Sequence, residues 1–212
     1  VTESDIGSAV NFLGQLKTLA GSNGSADLGD AADACFSERE LFDNIQRRLD
    51  RLTSIDEPGI QHQHLEQFVE TELAPALGRF YDLFQNDSGE SGQLLNFQLA
   101  LEKRTLSPSD FGFHNALKRP DGSIVFVDFE YFGWDDPAKM ICDFLLHPGM
   151  DIQDDLKKRF VKGLVAGFQG QPRLAPRVEI LYSLFALKWC LILLNEFIPE
   201  RMQVRAQASS QP

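Results

Sequence analysis

The stretch SPSDFGFHNALKRPDGSIVFVDF, residues 107–129, interrupts a mostly helical pattern and decides the fold of this chain. Its second half reads as strand, turn and strand, because the apolar runs ALKR and SIVFVDF flank PDG. Asp121 and Gly122 suit the positive φ angles of a two-residue hairpin turn. The sequence therefore predicts a short β-hairpin at about residues 115–129.

Most of the remaining chain is predicted to be helical. Apolar residues at helical spacing mark a helix over residues 5–20, and Ser37 followed by Glu40 is a capping-box pattern that opens a second helix. Further helices are predicted over residues 62–84, 91–102, 137–146, 151–168 and 176–198. The predicted fold class is therefore α+β and mostly helical.

Two segments lack a periodic pattern. Residues 21–37 are rich in Gly, Ser and Asp and are predicted to form a flexible loop, and the polar tail 205–212 is predicted to be disordered. The chain is expected to form a single domain over residues 1–204. Its parts are a helical region (1–102), a region with the loop and hairpin (103–136) and a second helical region (137–200).

The composition argues against several classes of function. The chain has 212 residues, with 20 Lys and Arg against 31 Asp and Glu, and its formal net charge is -11 at pH 7. Such a charge disfavours binding to nucleic acid or to an anionic membrane surface. Cys35, Cys142 and Cys190 are widely spaced and odd in number, which predicts buried thiols rather than disulfides or a zinc site.

The most apolar segment, ILYSLFALKWCLILLNEFI at residues 180–198, is predicted to be a buried helix. Lys188, Asn195 and Glu196 interrupt it, which disfavours a membrane span. No signal-peptide pattern opens the sequence. A soluble, cytoplasmic protein is therefore expected.

A candidate site lies at the open end of the predicted hairpin. If the turn has two residues, Asn115 lies directly opposite Asp128, with their Cβ atoms about 5 Å apart. An amide oxygen and a carboxylate placed in this way could bind one hard cation such as Mg²⁺. Asp110, in the loop before the first strand, could reach the same position. A carboxylate beside such a pair is what phosphoryl transfer to a hydroxyl requires.

Residues 109–144, SDFGFHNALKRPDGSIVFVDFEYFGWDDPAKMICDF, resemble the catalytic core of the aminoglycoside phosphotransferase and choline kinase group. Those proteins have a protein-kinase-like fold with a loop H-G-D-x4-N, a short hairpin, I-D-F/W-E/D, then G-x-x-D-P and a further Asp. The resemblance implies that Asp110 is the catalytic base. It also implies that Asn115 and Asp128 bind magnesium, and with it the nucleotide phosphates.

The resemblance also assigns roles to three later acids. Glu130, Asp136 and Asp143 match the acidic positions that follow the metal-binding aspartate of the family. Asp136 and Asp143 are expected to brace the loop rather than take part in the chemistry. Glu130 remains a further candidate for the site itself.

One departure from the family pattern lies directly before Asp110. Pro108-Ser109 stands where the family has His-Gly, so the hydrogen bonds of that histidine are missing, and Ser107 or Ser109 is a candidate to replace them. His114, inside the same loop, is interpreted as a residue that shapes the loop or contacts the substrate.

The sequence also lacks a recognisable nucleotide-binding small lobe. Such a lobe needs a Gly-rich turn between strands and a strand lysine. The stretch GSNGSADLGD, residues 21–30, follows a helix, and Lys17 lies in that helix. The chain is therefore expected to be the C-terminal lobe of a kinase-like fold, with the N-terminal nucleotide lobe absent.

The expected function is that of a small-molecule phosphotransferase lobe. It would transfer the γ-phosphate of ATP or GTP to a substrate hydroxyl with Mg²⁺. Acidic helical residues such as Glu66, Glu70, Glu72 and Glu196 would suit a cationic acceptor. The alternative is a non-catalytic, pseudokinase-like module that binds a ligand or a partner. A metal-dependent phosphatase or nuclease is a third possibility that the acidic residues alone would permit.

Overall fold

The computed structural model describes residues 1–55, 59–86 and 98–198. About 64% of the structure is helical, and two small antiparallel sheets accompany the helices. The predicted α+β, mostly helical class is therefore confirmed. The predicted tail 205–212 and residues 91–97 of the predicted helix 91–102 lie outside the described residues. The rest of that helix prediction is wrong for residues 98–100, because the backbone at Ala100 is extended and only a short 3-10 helix follows, at Leu101–Lys103.

The helices follow the predicted positions closely. The described α-helices are α1 (Glu3–Ala20), α2 (Glu38–Thr53), α3 (Ile60–Phe68), α4 (Ala74–Asn86), α5 (Pro137–Leu146), α6 (Asp154–Gly167) and α7 (Leu174–Leu193). A π-helical turn, Val69–Leu73, joins α3 to α4, so the helix predicted over residues 62–84 is one helical run. Short 3-10 helices lie at Asn23–Ser25, Leu101–Lys103, Phe113–Asn115 and Leu194–Phe197.

The start of α1 is fixed by a capping box of Thr2 and Asp5. The Thr2 side chain accepts the backbone N–H of Asp5 at 3.3 Å, and the Asp5 carboxylate accepts the backbone N–H of Thr2 at 2.8 Å. These bonds satisfy two donors that the first turn of a helix leaves without partners. Asp5 also accepts a hydrogen bond from Lys118 at 2.7 Å, which ties α1 to the hairpin.

Four three-residue strands form two antiparallel pairs among the described residues. β1 (Thr105–Ser107) pairs with β4 (Gly133–Asp135), and β2 (Ala116–Lys118) pairs with β3 (Ile124–Phe126). The β2–β3 pair is the predicted hairpin. The sequence does not predict the β1–β4 pair, because three residues are too few to display an alternating pattern.

The hairpin turn contains three residues rather than the predicted two. Arg119 donates its backbone N–H to the Ser123 carbonyl at 2.9 Å, so residues 120–122 form the loop. Gly122 takes the left-handed conformation, with φ 84°. The Asp121 carboxylate accepts both the N–H and the hydroxyl of Ser123, at 2.9 and 2.7 Å. This is the three-residue loop that ends in a left-handed glycine, the next most common hairpin type.

The longer turn shifts the register by one residue. Ala116 pairs with Phe126, and the backbone N–H of Val127 donates to the Asn115 carbonyl at 3.0 Å. Asn115 therefore lies opposite Val127. The predicted cross-strand pair of Asn115 and Asp128 is wrong, because the turn holds one more residue than the prediction assumed.

The segment after α1 is attached to β4 over residues 29–32. Trp134 donates its backbone N–H to the Gly29 carbonyl at 2.9 Å and accepts the Ala31 N–H at 2.8 Å. A Cβ atom on Gly133 would lie 2.5 Å from backbone atoms of Ala31 and Gly29, so only glycine permits this approach. The flexibility of residues 21–37 stays a prediction, but the structure gives this segment fixed contacts.

The chain divides into two compact units. One comprises Val1–Phe36 with Gln98–Phe185, and the other comprises Ser37–Phe97 with Ala186–Pro212. The first unit contains α1, both strand pairs, α5 and α6, and therefore every residue predicted for catalysis or metal binding. The acids expected to suit a cationic acceptor belong to the second unit: Glu66, Glu70, Glu72 and Glu196. In the second unit the Phe42 ring meets those of Tyr81 and Phe84 edge-on, at 5.5 Å in each case. A single domain over residues 1–204 stays a prediction.

One described helical stretch, Leu174–Phe197, is long and apolar enough by length and composition to cross a membrane. Core helices of soluble proteins meet the same two criteria, so this stretch alone is weak evidence. Arg177 and Lys188 are buried within it. The expected soluble, cytoplasmic state stays a prediction.

The cysteines differ in their surroundings. Cys35 and Cys142 are buried, whereas Cys190 is exposed on α7. The expectation of three buried thiols is therefore wrong for Cys190, because this residue lies on a face of the helix that its neighbours leave uncovered.

Candidate active site

Asp110 lies in a constrained loop that connects β1 to β2. Ser109 has a φ of 65°, which is uncommon for a residue with a side chain. The Ser109 N–H donates to the Ser107 hydroxyl at 3.0 Å, and the Ser109 hydroxyl donates to the Ala32 carbonyl at 2.8 Å. The Asp110 N–H donates to the Pro108 carbonyl at 2.9 Å. These bonds place the Asp110 carboxylate at the surface, with its side chain 41% exposed.

Asn115 fastens the other end of this loop to Asp110. Its amide nitrogen donates to the Asp110 backbone carbonyl at 3.0 Å and lies 3.4 Å from carboxylate oxygen Oδ2. Because the nitrogen faces Asp110, the amide oxygen is the atom that Asn115 can offer to a cation. Asp110 and Asn115, which the sequence predicts for one site, are thus in contact.

Two histidines flank the Asp110 carboxylate. Nε2 of His114 lies 3.1 Å from oxygen Oδ1, and Nε2 of His147 lies 3.5 Å from the same oxygen. Their rings stack with centroids 3.7 Å apart and planes inclined by 1°. The sequence predicts His114 as a loop residue but gives no signal for His147, which reaches the site only because α5 ends beside it.

The ligand atoms of Asp110, His114 and His147 all lie within 4.8 Å of one another, which raises the question of a metal site. An imidazole binds a metal close to its own ring plane, and two parallel stacked rings share no such position. In addition, Nδ1 of His147 accepts the Gly149 N–H at 3.0 Å. A neutral His147 therefore carries its proton on Nε2, the atom that would have to bind the metal. The arrangement suits hydrogen bonds to Asp110 better than a shared ion.

The surroundings of His147 favour the uncharged ring. Burial lowers the pKa of His147, and the neighbouring His114 lowers it further, against the opposite influence of Asp110 and Asp143. Desolvation disfavours the charged form of a buried imidazole. The lowered pKa of His147 therefore favours a neutral ring beside Asp110 near neutral pH.

Asp128 is placed near Asp110 because the aromatic residues that follow these two acids pack on the same ring. The Phe12 ring of α1 stacks on Phe111 at 5.5 Å and on Phe129 at 5.8 Å, and these two residues directly follow Asp110 and Asp128. Asp128 is exposed and has a φ of 66°, which turns the chain sharply after β3. The two acids therefore flank one aromatic cluster, although Asp128 does not face Asn115 across the hairpin.

The negative charges of this region act together on Tyr131. A hydrogen bond to Glu130 raises the pKa of Tyr131, and the charges of Glu130, Asp110 and Asp128 raise it further. All three acids therefore lie within electrostatic reach of one phenol group. Glu130 is exposed, like Asp128, so it belongs to the same acidic surface.

Phe129 and Tyr131, on either side of Glu130, have exposed aromatic side chains, and Leu117 of the hairpin is also exposed. Leu117 is 62% exposed, Phe129 42% and Tyr131 46%. Exposed apolar groups that cluster, rather than occur singly, often mark a surface that binds a ligand or a partner. The region therefore combines negative charge with apolar area.

Asp136 lies behind the site and is not open to a substrate. It caps α5 by accepting the Ala138 N–H at 2.8 Å, and it pairs with both terminal nitrogens of Arg177, at 3.2 and 2.7 Å. A bidentate pair between arginine and carboxylate fixes geometry as well as charge. These contacts fix the start of α5, and the bracing of the loop by Asp136 stays a prediction.

Asp143 belongs to a second buried group with Lys139 and Asp135. The Lys139 ammonium lies 2.8 Å from Asp135 and 3.1 Å from Asp143, and its side chain is 1% exposed. Burial raises the pKa of Asp135 to about 6, although Lys139 acts to lower it. The two carboxylates in turn raise the pKa of Lys139. At neutral pH the group therefore carries charges of both signs that hold the first turns of α5.

The predicted residues thus fall into two layers. Asp110, Asn115, His114 and Ser109 belong to one loop, with Asp128 and Glu130 on the adjoining surface, while Asp136 and Asp143 brace α5 beneath them. Comparisons with known proteins add no further assignment: no family model matches the chain, and no curated protein matches it.

Proposed function

We propose that this chain is the catalytic lobe of a phosphotransferase that transfers the γ-phosphate of ATP or GTP to a hydroxyl of a small molecule. The observation that carries the proposal is the Asp110 carboxylate, partly exposed and held by Asn115, His114 and His147 beside a cluster of acids. A carboxylate held in this way, with a hard-cation position next to it, is what phosphoryl transfer to an alcohol needs.

Asp110 is the proposed general base. Its loop is fixed at both ends, by Ser107 and Ser109 before it and by Asn115 after it. Because the carboxylate is already fixed, orienting it towards an incoming hydroxyl costs less conformational entropy. Its partial exposure leaves room for a substrate to approach.

Asn115 and Asp128 are the proposed ligands of Mg²⁺, with Glu130 as a further candidate. The donor set fits this ion, because the Asn115 amide oxygen and the carboxylates are hard oxygen ligands. Bound there, Mg²⁺ would neutralise charge on the phosphate oxygens. The charges of Glu130, Asp110 and Asp128 all act on Tyr131, so a cation bound in this region would meet a negative field.

The acceptor is proposed to be a small hydroxyl compound that carries positive charge. The formal net charge of -11 and the acids at the site favour a cation over an anion. The exposed Phe129 and Tyr131, on either side of Glu130, offer apolar contact beside these acids. Amino sugars and choline-like amino alcohols combine these properties.

A second candidate function is ligand binding without catalysis. The strands of the described residues, 1–55, 59–86 and 98–198, favour this candidate. Each of these strands has three residues, and neither strand pair supplies a Gly-rich turn of the kind that covers nucleotide phosphates. Under this alternative the acids would bind a cationic ligand, and Asp110 would only contribute charge.

The test is nucleotide-dependent phosphorylation by the full natural protein. ADP or GDP release is measured with Mg²⁺ and a panel of amino sugars, choline-like amines and neutral sugars. Asp110→Asn, which keeps the shape of the side chain, should lower turnover by about 10²- to 10⁴-fold. Asp155→Asn, at an exposed position of α6, is the matched control and should change turnover less than about twofold.

Two results separate the candidates. Full turnover in Asp110→Asn would contradict the assignment of the base. Binding of a cationic ligand that depends on Asp110 and Asp128, with no turnover for any acceptor, would favour the binding module instead.

A further inference from the structure

The two oxygens of the Asp110 carboxylate have different surroundings. Oδ1 lies 3.1 Å from Nε2 of His114 and 3.5 Å from Nε2 of His147. Oδ2 lies 3.4 Å from the Asn115 amide nitrogen, which makes its shorter bond, 3.0 Å, to the Asp110 backbone carbonyl. The imidazoles thus hold Oδ1, and Oδ2 has the weaker contact.

The tautomer of His147 is set by Gly149. The Gly149 N–H donates to Nδ1 of His147 at 3.0 Å, so the proton of the neutral ring lies on Nε2 and faces Asp110. A Cβ atom on Gly149 would lie 2.9 Å from the His147 ring. The backbone of His147 is held by its own N–H, which donates to the Asp143 carbonyl at 3.0 Å at the end of α5.

His114 is placed by a second glycine. A Cβ atom on Gly112 would lie 2.7 Å from Nδ1 of His114 and 2.5 Å from the sulfur of Met150. The absence of that atom lets the His114 ring stack on His147 at 3.7 Å. In this stack the Nε2 atoms of both rings lie within 3.5 Å of the same oxygen, Oδ1 of Asp110.

We propose that His147 and His114 are positioning residues that fix Oδ1 of Asp110, so that Oδ2 is the oxygen that takes the proton of the substrate hydroxyl. The inference rests on the proposed phosphoryl transfer. In that step the hydroxyl O–H bond breaks and its proton goes to Oδ2. The hydroxyl oxygen forms a bond to the γ-phosphorus, and the bond from that phosphorus to the bridging oxygen breaks, leaving a nucleoside diphosphate with the electron pair.

Two substitutions at His147 separate hydrogen bonding from packing. His147→Phe keeps a ring for the stack but removes both nitrogens, whereas His147→Gln loses the ring but keeps an N–H donor near the position of Nε2. We expect His147→Phe to lower kcat by about 10-fold and to change the acceptor KM less than about twofold. His147→Gln should restore at least about half of the wild-type kcat. His64→Phe, at an exposed position of α3, is the control.

The order of these two variants decides the point. A residue that only packs would tolerate Phe better than Gln, so a kcat of His147→Phe equal to or above that of His147→Gln would overturn the proposal. A large rise in KM at unchanged kcat would overturn it too, because that pattern belongs to a substrate-binding residue.

A spectroscopic test keeps this inference separate from the proposed function, since it needs no turnover. The chain has 4 histidines, so long-range ¹H–¹⁵N imidazole spectra can be assigned by single substitutions. We expect the neutral His147 ring to carry its proton on Nε2. A ring protonated on Nδ1 would overturn the inference even if phosphate is transferred, and an Nε2 proton without any transfer would support the orientation while contradicting the proposed function.

Discussion

Asp110 is contacted by the imidazoles of His114 and His147 and by the amide of Asn115. The site resembles a family in which a histidine precedes the catalytic aspartate, yet Pro108-Ser109 stands there in this chain. Ser109 instead joins the loop to the Ala32 carbonyl, and the imidazole contacts come from His114 and His147. The loop is thus held by Ser109, within the departing pair itself, and Asp110 is contacted by two histidines from later positions of the chain.

Asp128 provides a test of the proposed magnesium site. Asp128→Asn should lower phosphate transfer by about 10²-fold and raise the Mg²⁺ concentration needed for half-maximal rate, because it removes a charged oxygen ligand. Asparagine tolerates the left-handed backbone well, so the φ of 66° at this position should be retained. Rates measured over a Mg²⁺ titration check the prediction, with Asp155→Asn as the control. An unchanged Mg²⁺ dependence would contradict it.

At the scale of elements, α5 connects the buried charges to the site. Asp136 with Arg177, and Lys139 with Asp135 and Asp143, fix its first turns, while His147 lies at its end. Displacement of this helix would therefore move a side chain that contacts Asp110. The bracing residues act on the site through the position of α5.

Lys139→Met should destabilise the protein by about 3–5 kcal/mol, because it leaves Asp135 and Asp143 buried without their cation. Urea unfolding followed by circular dichroism measures the loss. Combining the change with Asp135→Asn and Asp143→Asn should recover much of it, since the buried charge is then removed altogether. A loss below about 1 kcal/mol for Lys139→Met would contradict the account.

The contact between α1 and β2 predicts a pH dependence of stability. The hydrogen bond from Lys118 holds the pKa of Asp5 below its usual 3.8. The folded state therefore prefers the carboxylate, and its contribution is present above that value and is lost as the pH falls through the lowered pKa. Asp5→Asn should cost about 1 kcal/mol at neutral pH and progressively less below about pH 4.

Urea unfolding of Asp5→Asn and wild type at several pH values checks this prediction, with Glu179→Gln, an exposed residue of α7, as the control. A difference between Asp5→Asn and wild type that stays constant down to about pH 2 would mean that Asp5 acts through shape alone rather than through its charge.

The hairpin marks the limit of prediction at this scale. Its existence follows from the apolar runs and from Gly122, but its register depends on whether Pro120 belongs to the turn. One extra turn residue changes the cross-strand partner of Asn115 from the predicted Asp128 to Val127. Hydrophobic periodicity does not distinguish a two-residue from a three-residue turn. The difference is local, since the Asp121 carboxylate accepts two hydrogen bonds from Ser123.

For the whole molecule, local signals predict the helices and the position of the loop well. Contacts between segments distant in sequence are what the sequence does not reveal. His147 reaches Asp110, Phe12 joins Phe111 to Phe129, and β1 pairs with β4 only through tertiary packing. The position of the candidate site could therefore be predicted from Asp110 and Asn115. The distant residues that contact and hold it could not be predicted.

The most direct test of the central claim is ³¹P nuclear magnetic resonance of the natural protein with Mg²⁺, ATP or GTP and an amino-alcohol acceptor. The account predicts a new phosphomonoester signal that grows with nucleoside diphosphate, requires Mg²⁺, disappears in Asp110→Asn and persists in Asp155→Asn. Inorganic phosphate as the sole product, or an ester signal of full strength in Asp110→Asn, would contradict it.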